Sequence, residues 1–262
     1  MKNLTTEQKV YNVLRLAIAM CFIGHGAFGI ITKEIWCNYF AVFGIGKVMA
    51  YKLMPWLGSV DILFGLTMLV YPTRAVALWL VIWGVITASC RPLSGEPFAE
   101  LIERAGNFGA PLALLLLVGA GEGIKGWFSR INDDIQVDQK RFKLITNCLK
   151  VVVFLLLVGH GWLNLIEKKG LMGQYRSLGF SNPATVAHAA GIFEIVAGIS
   201  LLIKPIRPVI FAVLIWKIGT ELFYPKWEVF EWIERGGSYC SLLALYLILP
   251  AVKARILKLA VN

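Results

Sequence analysis

Eight apolar segments divide the 262-residue chain, at about 13–32, 56–71, 75–90, 105–121, 147–166, 188–203, 209–224 and 237–251. Few folds can hold so many in so short a chain. An apolar stretch of about 20 residues crosses a bilayer as a helix, and shorter ones need help from adjoining residues. In lipid every backbone polar group must be satisfied internally, which favours helices with short connections. The chain is 58% hydrophobic and 16% charged, against about 45–50% and about 25% in an ordinary soluble domain. Its mean hydropathy is +0.69. These values exclude a disordered chain, a collagen-like chain and a soluble enzyme with a normal surface. We expect an all-α membrane protein of eight transmembrane helices, arranged as two parallel four-helix repeats.

The repeat is read from matches that keep their order. Gly24-His25-Gly26 reappears as Gly159-His160-Gly161, an offset of 135. Asp61-Ile62-Leu63-Phe64-Gly65 aligns with Glu194-Ile195-Val196-Ala197-Gly198, Ile82-Trp83 with Ile215-Trp216 and Thr87 with Thr220, all at 133. Ile102-Glu103-Arg104 aligns with Ile233-Glu234-Arg235 at 131. A period of this kind marks a duplicated unit. An even number of spans gives both units the same orientation, related by a pseudo-two-fold axis along the membrane normal. The expected organisation is a first repeat over 1–123, a cytoplasmic linker over 124–146 and a second repeat over 147–262.

The net charge is +10. The basic residues lie mostly between apolar runs, so they read as topology signals and not as a nucleic-acid surface; no nucleic-acid partner is expected. Fifteen Lys and Arg, Lys2 among them, fall on the side of the N-terminus, and ten, Lys226 among them, on the opposite side. That bias places both termini in the cytoplasm, with the bilayer of the inner membrane as the surrounding partner. The first apolar run lacks a small-residue cleavage site after it and reads as a span, not a removed signal. Trp36, Trp56, Trp127, Trp162, Trp227 and Trp232 read as an interfacial belt. The long outer connections, 33–55 and 167–187, are either interfacial helices or re-entrant caps over the bundle, or ordinary surface loops. Cys37 and Cys90 fall near the same membrane face, which leaves a disulfide between them open. Cys21, Cys148 and Cys240 sit inside apolar runs, where Cys behaves as a small hydrophobe.

Ionisable side chains inside spans are costly and usually face a bundle interior or a cavity. This chain has His25, Asp61, His160, Glu194, Lys217 and Glu221 in such positions. At about 1.5 Å per residue, His25, His160, Asp61 and Glu194 fall in one layer in the outer half of the bilayer. Two readings follow. The histidines face a shared cavity with the carboxylates as orienting or proton-exchanging partners, or each histidine ties two helices together through a carboxylate of its own unit. Lys217 and Glu221 have the i,i+4 spacing of a helical ion pair. Their counterparts are Gly84 and Ala88, so the pair is either a compensated structural feature or a substrate-facing group. Trp83 and Trp216 are equivalent; they either flank a flat ligand or pack in the core. Glu103-Arg104 and Glu234-Arg235 read as helix-start residues favoured by the dipole. Thr87 and Thr220 are expected to bond their own helices.

The second unit carries a pattern with a known likeness. Gly159-His160-Gly161 lies late in its first helix. Gly191-Ile192-Phe193-Glu194-Ile195-Val196-Ala197-Gly198 and Leu201-Leu202 follow, then the turn Lys204-Pro205-Ile206-Arg207-Pro208 and a helix from Val209 to Tyr224. This resembles the DoxX-like family of four-helix membrane proteins, in which a G-x-x-E-x-x-x-G second helix is typical. The first unit, Gly58-Ser59-Val60-Asp61-Ile62-Leu63-Phe64-Gly65, has Asp in place of Glu. A tandem fusion departs from the family, as does the lack of a glycine-proline-glycine ending. The resemblance implies association with membrane redox systems, including quinone-linked sulfur oxidation and partners of periplasmic redox enzymes.

The expected function is therefore redox-associated, either quinone-linked or as the partner of a membrane or periplasmic redox enzyme. His25, His160, Asp61 and Glu194 would be its proton-exchanging residues, and Lys217, Glu221, Trp83 and Trp216 its substrate contacts. Quinone is the first cofactor candidate. A transition metal or a b-type haem held by His25 and His160 comes next. A small-solute transporter or channel and an assembly partner without a ligand are the other classes. Enzymatic activity is left open.

Overall fold

The computed structural model describes residues 4–222 and 229–261, with side chains through 251. Lys2, Lys226, Trp227 and the end of the seventh apolar segment (223–224) lie outside the described residues. Thirteen helices make up the described chain: α1 (Thr6–Ile30), α2 (Trp36–Ala41), α3 (Lys47–Val70), α4 (Arg74–Leu93), α5 (Ala99–Glu103), α6 (Ala105–Val118), α7 (Gly123–Phe128), α8 (Gln139–Leu165), α9 (Lys169–Ser177), α10 (Pro183–Ile203), α11 (Arg207–Leu222), α12 (Val229–Glu234) and α13 (Gly236–Val261). Among the described residues there is no strand, only one isolated bridge between Thr73 and Arg130.

Each of the eight apolar segments coincides with a helix. Among the described residues, five helices, α1, α3, α4, α8 and α10, are long and apolar enough to cross a membrane, and α6 is a shorter apolar helix. Their starts follow local chemistry. Thr5 caps α1 and forms a capping box with Gln8. Thr73, Asp138 and Asn182 cap α4, α8 and α10 through their side chains. Such caps satisfy N–H groups that a helix start leaves without intrahelical partners.

Two helices begin well before their apolar runs. α3 starts at Lys47 instead of near 56, passing through Lys52 and Pro55, and α8 starts at Gln139 instead of 147, through Lys140, Arg141 and Lys143. The connection before α8 is correspondingly shorter than the expected linker, and it is anchored. Ile131 is buried, its N–H donates to Pro72 O at 2.9 Å, and the Tyr11 hydroxyl reaches Ile131 O at 3.4 Å. Arg74 closes the end of α6, donating to the carbonyls of Gly119, Gly126 and Val118. The connections 33–55 and 167–187 contain the short helices α2 and α9.

Helices α1, α6, α8 and α13 form the centre. α1 packs on α3 and α13, and α8 on α10 and α6. The last helix of each half thus lies along the first helix of the other, and one apolar core runs through both, including Leu14, Ile18, Leu114, Leu156, Leu157 and Leu245. Glycines set the close approaches. A Cβ on Gly29 would stand 2.7 Å from Met54 O, and one on Gly161 would stand 2.7 Å from Gly191 O. Gly24 packs on the backbone of Glu234, and Gly159 on the backbone of Glu103. The glycine preceding each intramembrane histidine therefore receives the other half's Glu-Arg turn.

α3, α4, α10 and α11 flank this centre and turn large apolar side chains outward, among them Leu63, Ile82, Val196, Ile203 and Phe211. An apolar surface of this extent would drive association in water. In hydrocarbon it is the expected exterior. The chain is an integral membrane protein.

Candidate functional site

His25 sits on α1 and Asp61 on α3, and His25 Nδ1 lies 2.7 Å from Asp61 Oδ2. The arrangement recurs on α8 and α10, where His160 Nδ1 lies 2.5 Å from Glu194 Oε2. Both carboxylates are buried. Each bond crosses the glycine-lined contact that brings the two helices together. Each ring is held by the carboxylate of its own half, so its position and tautomer are fixed through Nδ1.

Their surroundings differ. In the second half, Glu194 is fully engaged. Its Oε1 accepts the indole N–H of Trp216 at 2.9 Å and lies 3.6 Å from Lys217 Nζ. Lys217 also pairs with Glu221 at 3.0 Å, and Glu221 with Arg235 Nε at 2.9 Å. The expected i,i+4 pair is present and is one link of this longer chain. Asn164 donates to His160 O at 3.0 Å and accepts from the Tyr175 hydroxyl at 2.7 Å. Tyr175 lies on α9, and burial pushes its phenol up to about 12, so it remains a donor.

In the first half, the His25 ring packs against Trp36, with centroids 4.6 Å apart and planes tilted by 32°. His25 and Asp61 line a cavity of about 350 Å³. Aromatic and aliphatic side chains make most of its wall, including Trp36, Phe40, Phe43, Leu57, Trp83 and Ile86; Arg91, Arg104, Asn107 and Glu234 add polar groups. That volume and lining suit a small amphipathic ligand. The cavity shares Trp36, Tyr39, Arg91, Arg104 and Glu234 with a second, more charged cavity of about 680 Å³. Trp83 stacks on Trp79 at 6.0 Å with planes 10° apart, and its indole N–H is buried without a hydrogen-bond partner among the described residues. Thr87 and Thr220 bond the carbonyls of Trp83 and Trp216, each at 3.0 Å, as expected.

The Glu-Arg turns are ion-pair centres more than helix caps. Arg104 makes no side-chain cap on α6. It contacts Glu100 at 2.8 Å and Glu103 at 3.0 Å, while Arg235 reaches across to Glu103 at 2.6 Å. Lys33 holds Glu231 at 2.5 Å, and Lys168 pairs with Glu100. Burial would raise the Glu100 carboxyl; Arg104, Lys168 and Arg91 outweigh it and hold it below the ordinary glutamate value of 4.5. Glu231 is held low in the same way by Arg235 and Lys33.

Of the residues expected to form the site, His160, Glu194, Trp216, Lys217 and Glu221 join one network, and His25, Asp61 and Trp83 line one cavity. The cavity wall does not include His160 or Glu194. Among the described residues, no three His, Cys, Asp or Glu side chains are grouped to hold a metal ion. All five cysteines are free. The disulfide weighed for Cys37 and Cys90 is not formed: Cys37 packs with Phe28, Phe40 and Met54, while Cys90 lines the cavity.

The G-x-x-E-x-x-x-G helix is α10, with Gly191 against α8 and Glu194 on His160. The DoxX family model matches residues 147–218 of the chain. The DoxX match covers α9 and α10, most of α8 and α11, and with them His160, Glu194, Trp216 and Lys217. No curated protein and no solved structure matches the chain.

Proposed function

We propose that the protein is a redox-associated inner-membrane protein that binds a quinone through its first half and exchanges protons with it at His25. The reading takes the chain as a tandem pair of four-helix DoxX-like units, eight spans in all, with both termini in the cytoplasm. The observation that carries it is the placement of His25 and Asp61 in the wall of an aromatic-lined cavity of about 350 Å³.

The chemistry is stated by the residues. Reduction of a quinone consumes two electrons and two protons, and the electrons come from a membrane or periplasmic redox partner. Asp61 fixes Nδ1 of His25. Nε2 then remains for a ligand oxygen, as an N–H donor when the ring is protonated and as an acceptor when it is neutral. Asp61 stabilises the charged ring and returns it to the same orientation after each transfer. Trp36 and Phe40 supply apolar faces for a ring, and the neighbouring charged cavity offers protons a route from the outer surface. In the second half, His160 and Glu194 form the corresponding pair.

Solvent extraction of protein purified in mild detergent tests the reading. Quinone is expected in the wild-type extract at close to one per chain and depleted from His25→Ala. Extracts of well-folded wild type without quinone, even after incubation with excess quinone, would contradict it.

A further inference from the structure

The two tryptophans that align at an offset of 133 have opposite fates. Trp216 gives its indole N–H to Glu194 at 2.9 Å. Trp83 gives its own to no group among the described residues, although the nitrogen is buried. The cause lies in the partner carboxylates. Glu194 spans from His160 to Trp216 with its two oxygens. Asp61 is one methylene shorter, and its only hydrogen bond among the described residues goes to His25. A buried N–H left without a partner is costly, and Trp83 lines the same cavity as His25 and Asp61.

The halves differ again one residue further along. Lys217 is buried, with its ammonium 3.6 Å from Glu194 and 3.0 Å from Glu221. Its counterpart is Gly84, and that of Glu221 is Ala88. The second half supplies from its own sequence a cationic partner for its carboxylate; the first half has no such side chain at that position.

From this asymmetry we infer that ligand binding is confined to the first half, in a site for one flat ring whose oxygen accepts from Trp83 Nε1 as His25 engages the same molecule. The inference rests on the quinone reading and narrows it. The Trp83 N–H selects a ring with a carbonyl oxygen over a ring of the same size without an acceptor. The second half's equivalent donor is already satisfied, so Lys217 and Glu194 act as a built-in occupant that keeps that half structural.

Titration of the full-length protein in nanodiscs with decylubiquinone is the test. Wild type is expected to bind one molecule per chain. Trp83→Phe, which keeps an aromatic ring and removes the N–H, is expected to weaken binding about fivefold to tenfold, the range for one lost hydrogen bond. Asp61→Glu preserves the charge and extends the carboxylate by one methylene. It is expected to weaken binding similarly by capturing the Trp83 N–H, and it supplies the answer if Trp83→Phe fails to fold. Wild-type affinity in both variants, or two molecules bound per wild-type chain, would overturn the inference while leaving the quinone reading intact. No saturable binding by folded wild type would overturn the quinone reading itself and the inference with it.

Discussion

Arg235 donates from Nη1 to Glu103 Oε1 at 2.6 Å, joining residues 132 apart in sequence. The bond ties the turn before α13 to the turn before α6; Glu103 is buried and Arg235 mostly so. It lies beside the backbone contacts of Gly24 with Glu234 and of Gly159 with Glu103. The two halves are thus locked at the level of the histidines by crossed contacts.

Glu103→Gln keeps the shape of the side chain and removes its charge. Arg235 would still have Glu221 at 2.9 Å and Arg104 would still have Glu100 at 2.8 Å, but both lose the Glu103 charge. The expected destabilisation is about 1.5–3 kcal/mol, read from unfolding in mild detergent. A variant as stable as wild type would show that this bond does not join the halves.

Lys217→Met removes the buried cation between Glu194 and Glu221. Breaking a buried pair from one side costs about 3–5 kcal/mol. Removing Glu221 as well, as Lys217→Met/Glu221→Leu, leaves fewer uncompensated charges and is expected to restore part of the stability. Equal instability of the single and double variants would contradict the pairing.

Helix contacts through glycine predict a contrast between two alanine substitutions. A Cβ at Gly29 would stand 2.7 Å from Met54 O and 2.8 Å from Gly58 Cα, both backbone atoms that cannot swing aside. A Cβ at Gly46 meets nothing within 4 Å, and its φ is −69°. Gly29→Ala is expected to lose about 1–3 kcal/mol from forced separation of α1 and α3. Gly46→Ala is expected to stay near wild type in the same thermal unfolding assay.

Acid sensitivity follows from Glu100 and Glu231. Both carboxyls are held below the ordinary value of 4.5 in the folded protein. Their contribution to stability is therefore fully present above 4.5 and is lost as the pH falls through their folded values. Melting temperatures measured from pH 7 down to about pH 3.5 should decline below that point. The decline should be shallower in Glu100→Gln, which no longer has this carboxyl to titrate. An identical slope would show that Glu100 does not supply the effect.

Much of this was legible because membrane depth makes ionisable residues conspicuous. His25, Asp61, His160 and Glu194 stood out as costly groups inside apolar runs, and their recurrence suggested which would pair. Lys217 and Glu221 were legible from helical spacing alone. The bonds from Arg235 to Glu103 and from Tyr175 to Asn164 were not, because they join separate elements and leave no local periodicity. The paired Glu-Arg dipeptides at an offset of 131 are the available signal, but a helix dipole is sufficient reason for an acidic residue at either helix start. The starts of α3 and α8 are hidden because Lys52, Pro55 and Lys143 interrupt the apolar pattern without ending the helix. The cavity leaves no local pattern in the sequence because its wall is assembled from α1, α2, α3, α4, α6 and α12.

On the proposed function, His25 exchanges a proton with a bound quinone under the control of Asp61. Redox-induced infrared difference spectroscopy on the decylubiquinone-loaded protein measures this directly, because imidazole and carboxylate bands report protonation at the site. Reduction of the quinone is expected to produce imidazole and carboxylate changes in wild type, with the imidazole signal absent from His25→Ala and altered in Asp61→Asn. A spectrum in which the quinone bands change and the imidazole and carboxylate bands match those of His25→Ala would contradict the claim.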